Sequence, residues 1–170
     1  THVPPHNPWG VVVDSPTEER NPRSRDLDTV GTVELLELIN AEDQRVPGVV
    51  AAAIPALAAL VDAALDAVRA GGRVHYVGAG TSGRLGIIDA AELLPTFRLE
   101  DGVVTAHLAG GHPAIVRAAE NVEDDTAAGR RDLEPLTARD VVIGLAASGR
   151  TPYVVGALAR AGEVGAVTAL

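Results

Sequence analysis

The chain has 170 residues, 46% hydrophobic and 22% charged, which is a globular composition with enough length for one core and excludes a disordered chain. Its net charge of -9, with 14 Lys+Arg against 23 Asp+Glu and no basic cluster, argues against a nucleic-acid partner. Cysteine is absent and aromatics are 2% of residues, which removes thiolate chemistry and base stacking and leaves Ala, Val, Leu and Ile to build the core.

Residues 1–31 hold Pro4, Pro5, Pro8 and Pro16 without periodicity and read as an N-terminal tail. No charged segment followed by an apolar run opens the chain, whose first residue is Thr1, and a cytoplasmic protein is expected. Residues 32–72 read as N-terminal helices. The first starts at Thr32, a candidate N-cap, and carries Val33, Leu35, Leu36, Leu38 and Ile39. The second is expected from about Gln44 to Ala70, broken or kinked at Pro55 and closed by Gly71-Gly72. Its apolar stretch, Val46 to Val61, falls short of the ~20 residues of a membrane helix, so no membrane partner is expected.

Residues 73–170 change pattern. Arg73-Val-His-Tyr-Val77 is a short strand, followed by the glycine turn Gly78-Ala-Gly-Thr-Ser-Gly83 and a helix from Arg84 to about Leu94. Val103 to His107 is a second strand, then Gly110-Gly111 and a helix from about Pro113 to Val122. Asp140 to Leu145 is a third strand, nearly all apolar, as befits a strand covered on both faces. Ala146-Ala-Ser-Gly-Arg-Thr-Pro152 leads into a helix to about Ala161, and Val164 to Leu170 begins a fourth strand. Alternating strands and helices predict an α/β fold, a parallel sheet with helices on both faces, whose ligands bind beyond the carboxyl ends of the strands.

Two turns at those ends repeat each other: Thr81-Ser82-Gly83-Arg84 and Ala147-Ser148-Gly149-Arg150. Each puts hydroxyls and glycines where a helix begins, and free N–H groups with the positive end of the helix dipole favour an anion there. Simple capping explains one such turn; two with the same Ser-Gly-Arg point to a phosphate site. Its expected members are Gly80, Thr81, Ser82, Gly83, Ser148, Gly149, Arg150 and Thr151. Gly78-x-Gly80-x-x-Gly83 also matches the dinucleotide fingerprint, but the acidic residue that should end the next strand is replaced by His107-Leu-Ala-Gly. The five histidines show no metal-ligand spacing, and no metal is expected.

Val77-Gly-Ala-Gly-Thr-Ser-Gly-Arg-Leu-Gly86, Asp89-Ala-Ala-Glu92 and Ala146-Ala-Ser-Gly-Arg-Thr-Pro-Tyr153 resemble the N-acetylmuramic acid 6-phosphate etherases, sugar isomerase (SIS) domain proteins of peptidoglycan recycling. The likeness begins at Thr17-Glu-x-Arg-Asn-Pro22 and continues through Ile39-Asn-x-Glu-Asp43, Ala109-Gly-Gly111 and Glu123-Asp-Asp125. It implies a three-layer αβα SIS domain over residues 73–170, and cleavage of the D-lactyl ether to N-acetylglucosamine 6-phosphate and D-lactate. It further implies a sugar 6-phosphate partner, a homodimer, neither metal nor organic cofactor, and two glutamates as acid/base groups. At matching positions these are Glu92, the proton donor, and Glu123.

Read from the residues, Glu92 sits near the end of its helix, where the dipole disfavours negative charge and suits a proton donor; a solvated surface glutamate is the plainer reading. Glu123 opens an acidic run, and only the resemblance distinguishes the two from Glu120 or Glu134. Glu92 also lies ~15 Å along the axis from a helix start near Ser82, too far to serve a phosphate held there unless the helix ends early or, as the dimeric habit of the resembling family implies, the site is shared between two subunits. The family pattern Glu-Cys-Pro-Pro-Thr is here Glu92-Leu-Leu-Pro-Thr96, and family members are longer than this chain. The chain is therefore expected to be a C-terminally incomplete domain or a shortened form. Glucokinase regulatory proteins share the domain ancestry, so a non-catalytic sugar-phosphate-binding module is the alternative.

Overall fold

The computed structural model describes residue 17 and residues 19–170. Most of the expected N-terminal tail, residues 1–16 and 18, thus lies outside the described residues. The chain divides into two compact units, Thr1–Val50 and Ala51–Leu170, with the division inside a helix.

In the first unit, a single 3-10 turn at Pro22–Ser24 is capped by the Asn21 side chain, which accepts from the Arg23 N–H at 3.0 Å. Arg23 then pairs with Glu42, so this part of the expected tail is tied down. Helix α1 spans Thr32–Asp43, and Gly31 is its N-cap; Thr32 is already helical and does not cap. Helix α2 spans Val46–Arg69 and continues unbroken through Pro55, which excludes the break among the two expected outcomes, break or kink. A proline removes one intrahelical bond, and the turns on either side continue the helix. Gly71, with φ +78°, ends it as expected, and the Gly72 N–H returns to the Ala67 carbonyl at 2.8 Å.

With α2 unbroken, the stretch Thr32–Arg69 is long and apolar enough to cross a membrane by length and composition. The length argument made from the sequence therefore fails. The end of α2 packs on the sheet, where Leu60, Ala64, Ala67 and Val68 cluster with strand residues Val74, Tyr76, Val104, Val141 and Ile143.

The second unit holds four parallel strands, β1 (Val74–Gly78), β2 (Val104–Leu108), β3 (Val141–Leu145) and β4 (Val167–Ala169), in the order β2-β1-β3-β4. One face carries the end of α2 and helix α3 (Gly80–Phe97), which crosses close enough for a Cβ on Gly86 to lie 3.1 Å from that of Tyr76. The other face carries α6 (Pro152–Val164), whose Tyr153, Val154, Ala157 and Ala161 pack on Val77 and Val142. Period-two alternation sends Val74 and Tyr76 to one face and Val77 to the other. This is the expected α/β architecture with a helix-covered parallel sheet.

Between β2 and β3 the expected helix to Val122 stops early: α4 is only Pro113–Val116, and a separate α5 covers Thr126–Arg131. Asp125 starts α5 by accepting from the Ala128 N–H at 2.8 Å. Helices α5 and α6 touch backbone to backbone. A Cβ on Gly129 would sit 1.9 Å from the Tyr153 carbonyl oxygen, and one on Gly156 2.1 Å from that of Thr126.

Candidate functional site

Strands β1 and β3 are direct neighbours, with Gly78 paired to Leu145, so the turns that follow them lie side by side at the carboxyl end of the sheet. The first turn is shorter than expected. Only Ala79 separates β1 from α3, and Gly80, Thr81, Ser82, Gly83 and Arg84 already form the start of the helix. Packing explains the three glycines. A Cβ on Gly83 would lie 2.6 Å from the Gly78 carbonyl oxygen, one on Gly78 would lie 2.6 Å from Gly83 Cα, and Gly80 adopts φ +54°. The fingerprint spacing thus follows from a strand and helix in contact and needs no dinucleotide.

The second turn is a true loop ahead of α6. Gly149 takes φ +66°, Ser148 Oγ accepts from the Arg150 N–H at 3.2 Å, and Thr151 is the N-cap residue. Gly80, Thr81, Ser148 and Arg150 are exposed, Ser82, Gly149 and Thr151 half-buried, and Gly83 buried. Of the two glutamates, Glu123 is brought to this turn: its carbonyl accepts from the Tyr153 N–H in the first turn of α6 at 2.9 Å. Glu92 is not. It is exposed on α3, twelve residues beyond Gly80, or ~18 Å along the axis. Because α3 continues to Phe97, Glu92 also stands before the last turn, outside the reach of the dipole argument made from the sequence.

The sequence reading missed a histidine pair beneath the first turn, His75 buried and His107 half-buried. His75 on β1 and His107 on β2 meet with Nδ1 and Nε2 3.0 Å apart, and Thr105 Oγ1 lies 3.0 Å from His75 Nδ1. His75 Nε2 is buried without a hydrogen-bond partner. Burial, reinforced by the neighbouring His107, pushes His75 down to about 4; burial lowers His107 too, partly offset by Asp132. Asp132 also accepts from the Tyr153 hydroxyl at 2.7 Å, and burial pushes that phenol up. The available signal was strand register: His75 and His107 occupy inward positions of neighbouring strands, paired with Thr105 and Val77. Among the described residues no group of three or more His, Asp or Glu is placed to hold a metal ion.

A parallel sheet covered on both faces, with two hydroxyl-bearing turns at the carboxyl ends of its central strands, is consistent with a SIS domain. The chain belongs to that family: the profile of the glucokinase regulatory protein N-terminal SIS domain matches residues 56–162. It is also 54% identical, over 94% of its length, to the N-acetylmuramic acid 6-phosphate etherase of Thermobifida fusca (strain YX). It is 52% identical, over 90% of its length, to the etherases of Yersinia pestis (strain Pestoides F) and Yersinia pseudotuberculosis serotype O:1b (strain IP 31758). The chain spans about half the length of the curated relatives it matches, 52% in each of these cases.

Proposed function

We propose that this protein cleaves the D-lactyl ether of N-acetylmuramic acid 6-phosphate, giving N-acetylglucosamine 6-phosphate and D-lactate in amino sugar recycling in the cytoplasm. The observation that carries this reading is the pair of Ser-Gly-Arg turns on adjacent strands, with the Glu123 carbonyl hydrogen-bonded to the helix that starts at the second turn. Gly80, Thr81, Ser82 and Gly83, together with Ser148, Gly149, Arg150 and Thr151, receive the 6-phosphate. Helix N-termini and hydroxyl donors suit a dianion.

The chemistry is an elimination followed by hydration. In the open-chain aldehyde a carboxylate removes the hydrogen on carbon 2, the bond from carbon 3 to the lactyl oxygen breaks, and that oxygen takes a proton to leave as lactate. Water then adds its hydroxyl to carbon 3 and a proton returns to carbon 2. Glu92 supplies the proton to lactate and Glu123 is the second acid/base group. Since Glu92 stands ~18 Å along α3 from the phosphate turn, the site draws Glu92 from a second copy in a homodimer. In support, Glu92 shares one helical stripe with Leu85 and Ile88, apolar side chains that are 60% and 59% exposed.

Supplying N-acetylmuramic acid 6-phosphate and assaying D-lactate tests the reading, and release is expected. The family profile comes from a regulatory protein, so a second reading is a sugar-phosphate sensor. Tight binding of the sugar phosphate with no lactate formed would establish that reading instead.

A further inference from the structure

The segment from β2 to α5 holds its shape through bonds donated by two other helices. Arg84, at the start of α3, reaches across to it and donates from Nε to the carbonyls of Ala114 at 2.9 Å and Ile115 at 3.1 Å, and from Nη2 to that of Arg117 at 3.2 Å. These carbonyls lie at the end of α4, which is too short to satisfy them within itself. At the far end the Glu123 carbonyl accepts from the Tyr153 N–H of α6. Between the two anchors the segment closes on itself: around Gly110, at φ +83°, the side chains of Ala114, Ala119 and Val122 converge.

We propose that Arg84 is a positioning residue for Glu123, tying the segment 110–123 to the first turn of α3 so that the phosphate turn and the carboxylate form one body. The role given to Glu123 rests on the etherase reading. The repeat suggests Arg84 as a cation for the phosphate, but its Nε and Nη2 donate to three backbone carbonyls of the neighbouring segment. A planar guanidinium meets several carbonyls at once, which a lysine ammonium in its place does with a single point.

The test compares the unmutated chain with Arg84→Ala and Arg84→Lys by backbone hydrogen exchange. Exchange over residues 110–123 should accelerate by about tenfold or more in Arg84→Ala, less in Arg84→Lys, with the amides of β1 and β3 unchanged. If the alanine variant also loosens the sheet, the lysine variant alone carries the comparison. In lactate release, kcat should fall with KM held within about twofold, and added guanidinium should restore part of it. Arg84→Ala combined with Glu123→Gln should lose no more than Glu123→Gln alone. Unchanged exchange over 110–123 overturns the proposal, and so does an additive loss in the double variant. Absence of lactate release from the unmutated chain defeats the etherase reading separately, and the exchange measurement, which needs no substrate, then decides the anchoring role of Arg84 by itself.

Discussion

The two Ser-Gly-Arg turns share a sequence and differ in what they offer an anion. At the first, the repeat opens an 18-residue helix, whose earliest intrahelical acceptor bond begins only at Gly83 N–H to the Ala79 carbonyl. The amides of a first helical turn have no partner within the helix and face outward. At the second, several backbone donors are committed: Gly149 N–H to Ala146, Arg150 N–H to the Ser148 hydroxyl oxygen, Tyr153 N–H to Glu123, while Pro152 has none. The first turn presents the successive amides of one helix start, while at the second the hydroxyls of Ser148 and Thr151 make up more of the donor set. The arginines part company as well, since Arg84 braces a neighbouring loop and Arg150 is exposed. A repeat legible in letters thus resolves into two devices with different chemistry.

The largest expected effect concerns the glutamates that accompany the turns. Glu92→Gln and Glu123→Gln should each slow lactate release by ~10²–10⁴-fold while sugar-phosphate binding stays within a few-fold, because an amide keeps the shape and cannot transfer a carboxyl proton. Mixing the two inactive variants under conditions that exchange subunits should regain part of the activity if Glu92 serves the partner's turn. No recovery in verified mixed dimers would mean that both glutamates serve one subunit.

Acid should separate the strands that carry the two turns. The inward position of β1 is His75, and its partner on β3 is Val142. The folded chain holds His75 at about 4, below its ordinary 6.5, so the unfolded chain binds a proton that the folded chain refuses. The stability this represents is complete above pH ~6.5 and declines as pH falls towards 4, by up to ~1.4 kcal/mol per pH unit. Urea unfolding at pH 7 and pH 5 should show the loss, and His75→Asn should flatten the slope; an unchanged slope in that variant would place the acid sensitivity elsewhere.

Glycine replacements come next. Gly83→Ala forces a Cβ to within 2.6 Å of the Gly78 carbonyl oxygen and of Leu108 Cδ1. It should cost ~1–3 kcal/mol of stability, read as a lower urea midpoint. Gly149→Ala has room, its nearest contact being Leu170 Cδ2 at 3.8 Å, and meets only the strain of φ +66°. That costs roughly 1–2 kcal/mol. The smallest effect tests the contrast itself: Ser148→Ala should weaken sugar-phosphate binding by ~1 kcal/mol or more, and Ser82→Ala by less, because amides remain at the first turn. Calorimetric titration with equal losses at both would erase the distinction between amide and hydroxyl sites.

Much of this fold was legible because strands that end in glycine and lead into helices are a local pattern. Val77 and Val142 in apolar runs announced a covered sheet, and the turns at Gly78 and Ala146 announced the carboxyl ends of two neighbouring strands. What escaped the reading was set by partners distant in sequence. The helix expected to Val122 ends at Val116, where Arg84, some thirty residues earlier, takes its carbonyls. Gly80 to Gly83 read as loop and became helix, since the close approach of Gly78 and Gly83 lets α3 start at once. Pro55 read as a break or a kink, and the helix runs on through it. His75 and His107 were weighed as metal ligands by their spacing along the chain, whereas strand pairing is what joins them. Of the two glutamates, the Glu123 backbone is joined to the start of α6, while Glu92 stays remote from the first turn because it rides the helix that this turn opens.

The seam between α5 and α6 bears on the life of the protein in a cell. Gly129 and Gly156 leave no room for even one carbon atom, since each would drive it to within 2.1 Å of a carbonyl oxygen on the facing helix. A side chain at either position must part the helices. Such chains would be cleared by quality-control proteases before any defect in turnover could register, since a loss of even ~1–2 kcal/mol changes steady-state abundance several-fold. In a mutational scan these two glycines should therefore mark themselves by depleted protein level, whereas Glu92 and Glu123 would mark themselves by a full complement of inert protein.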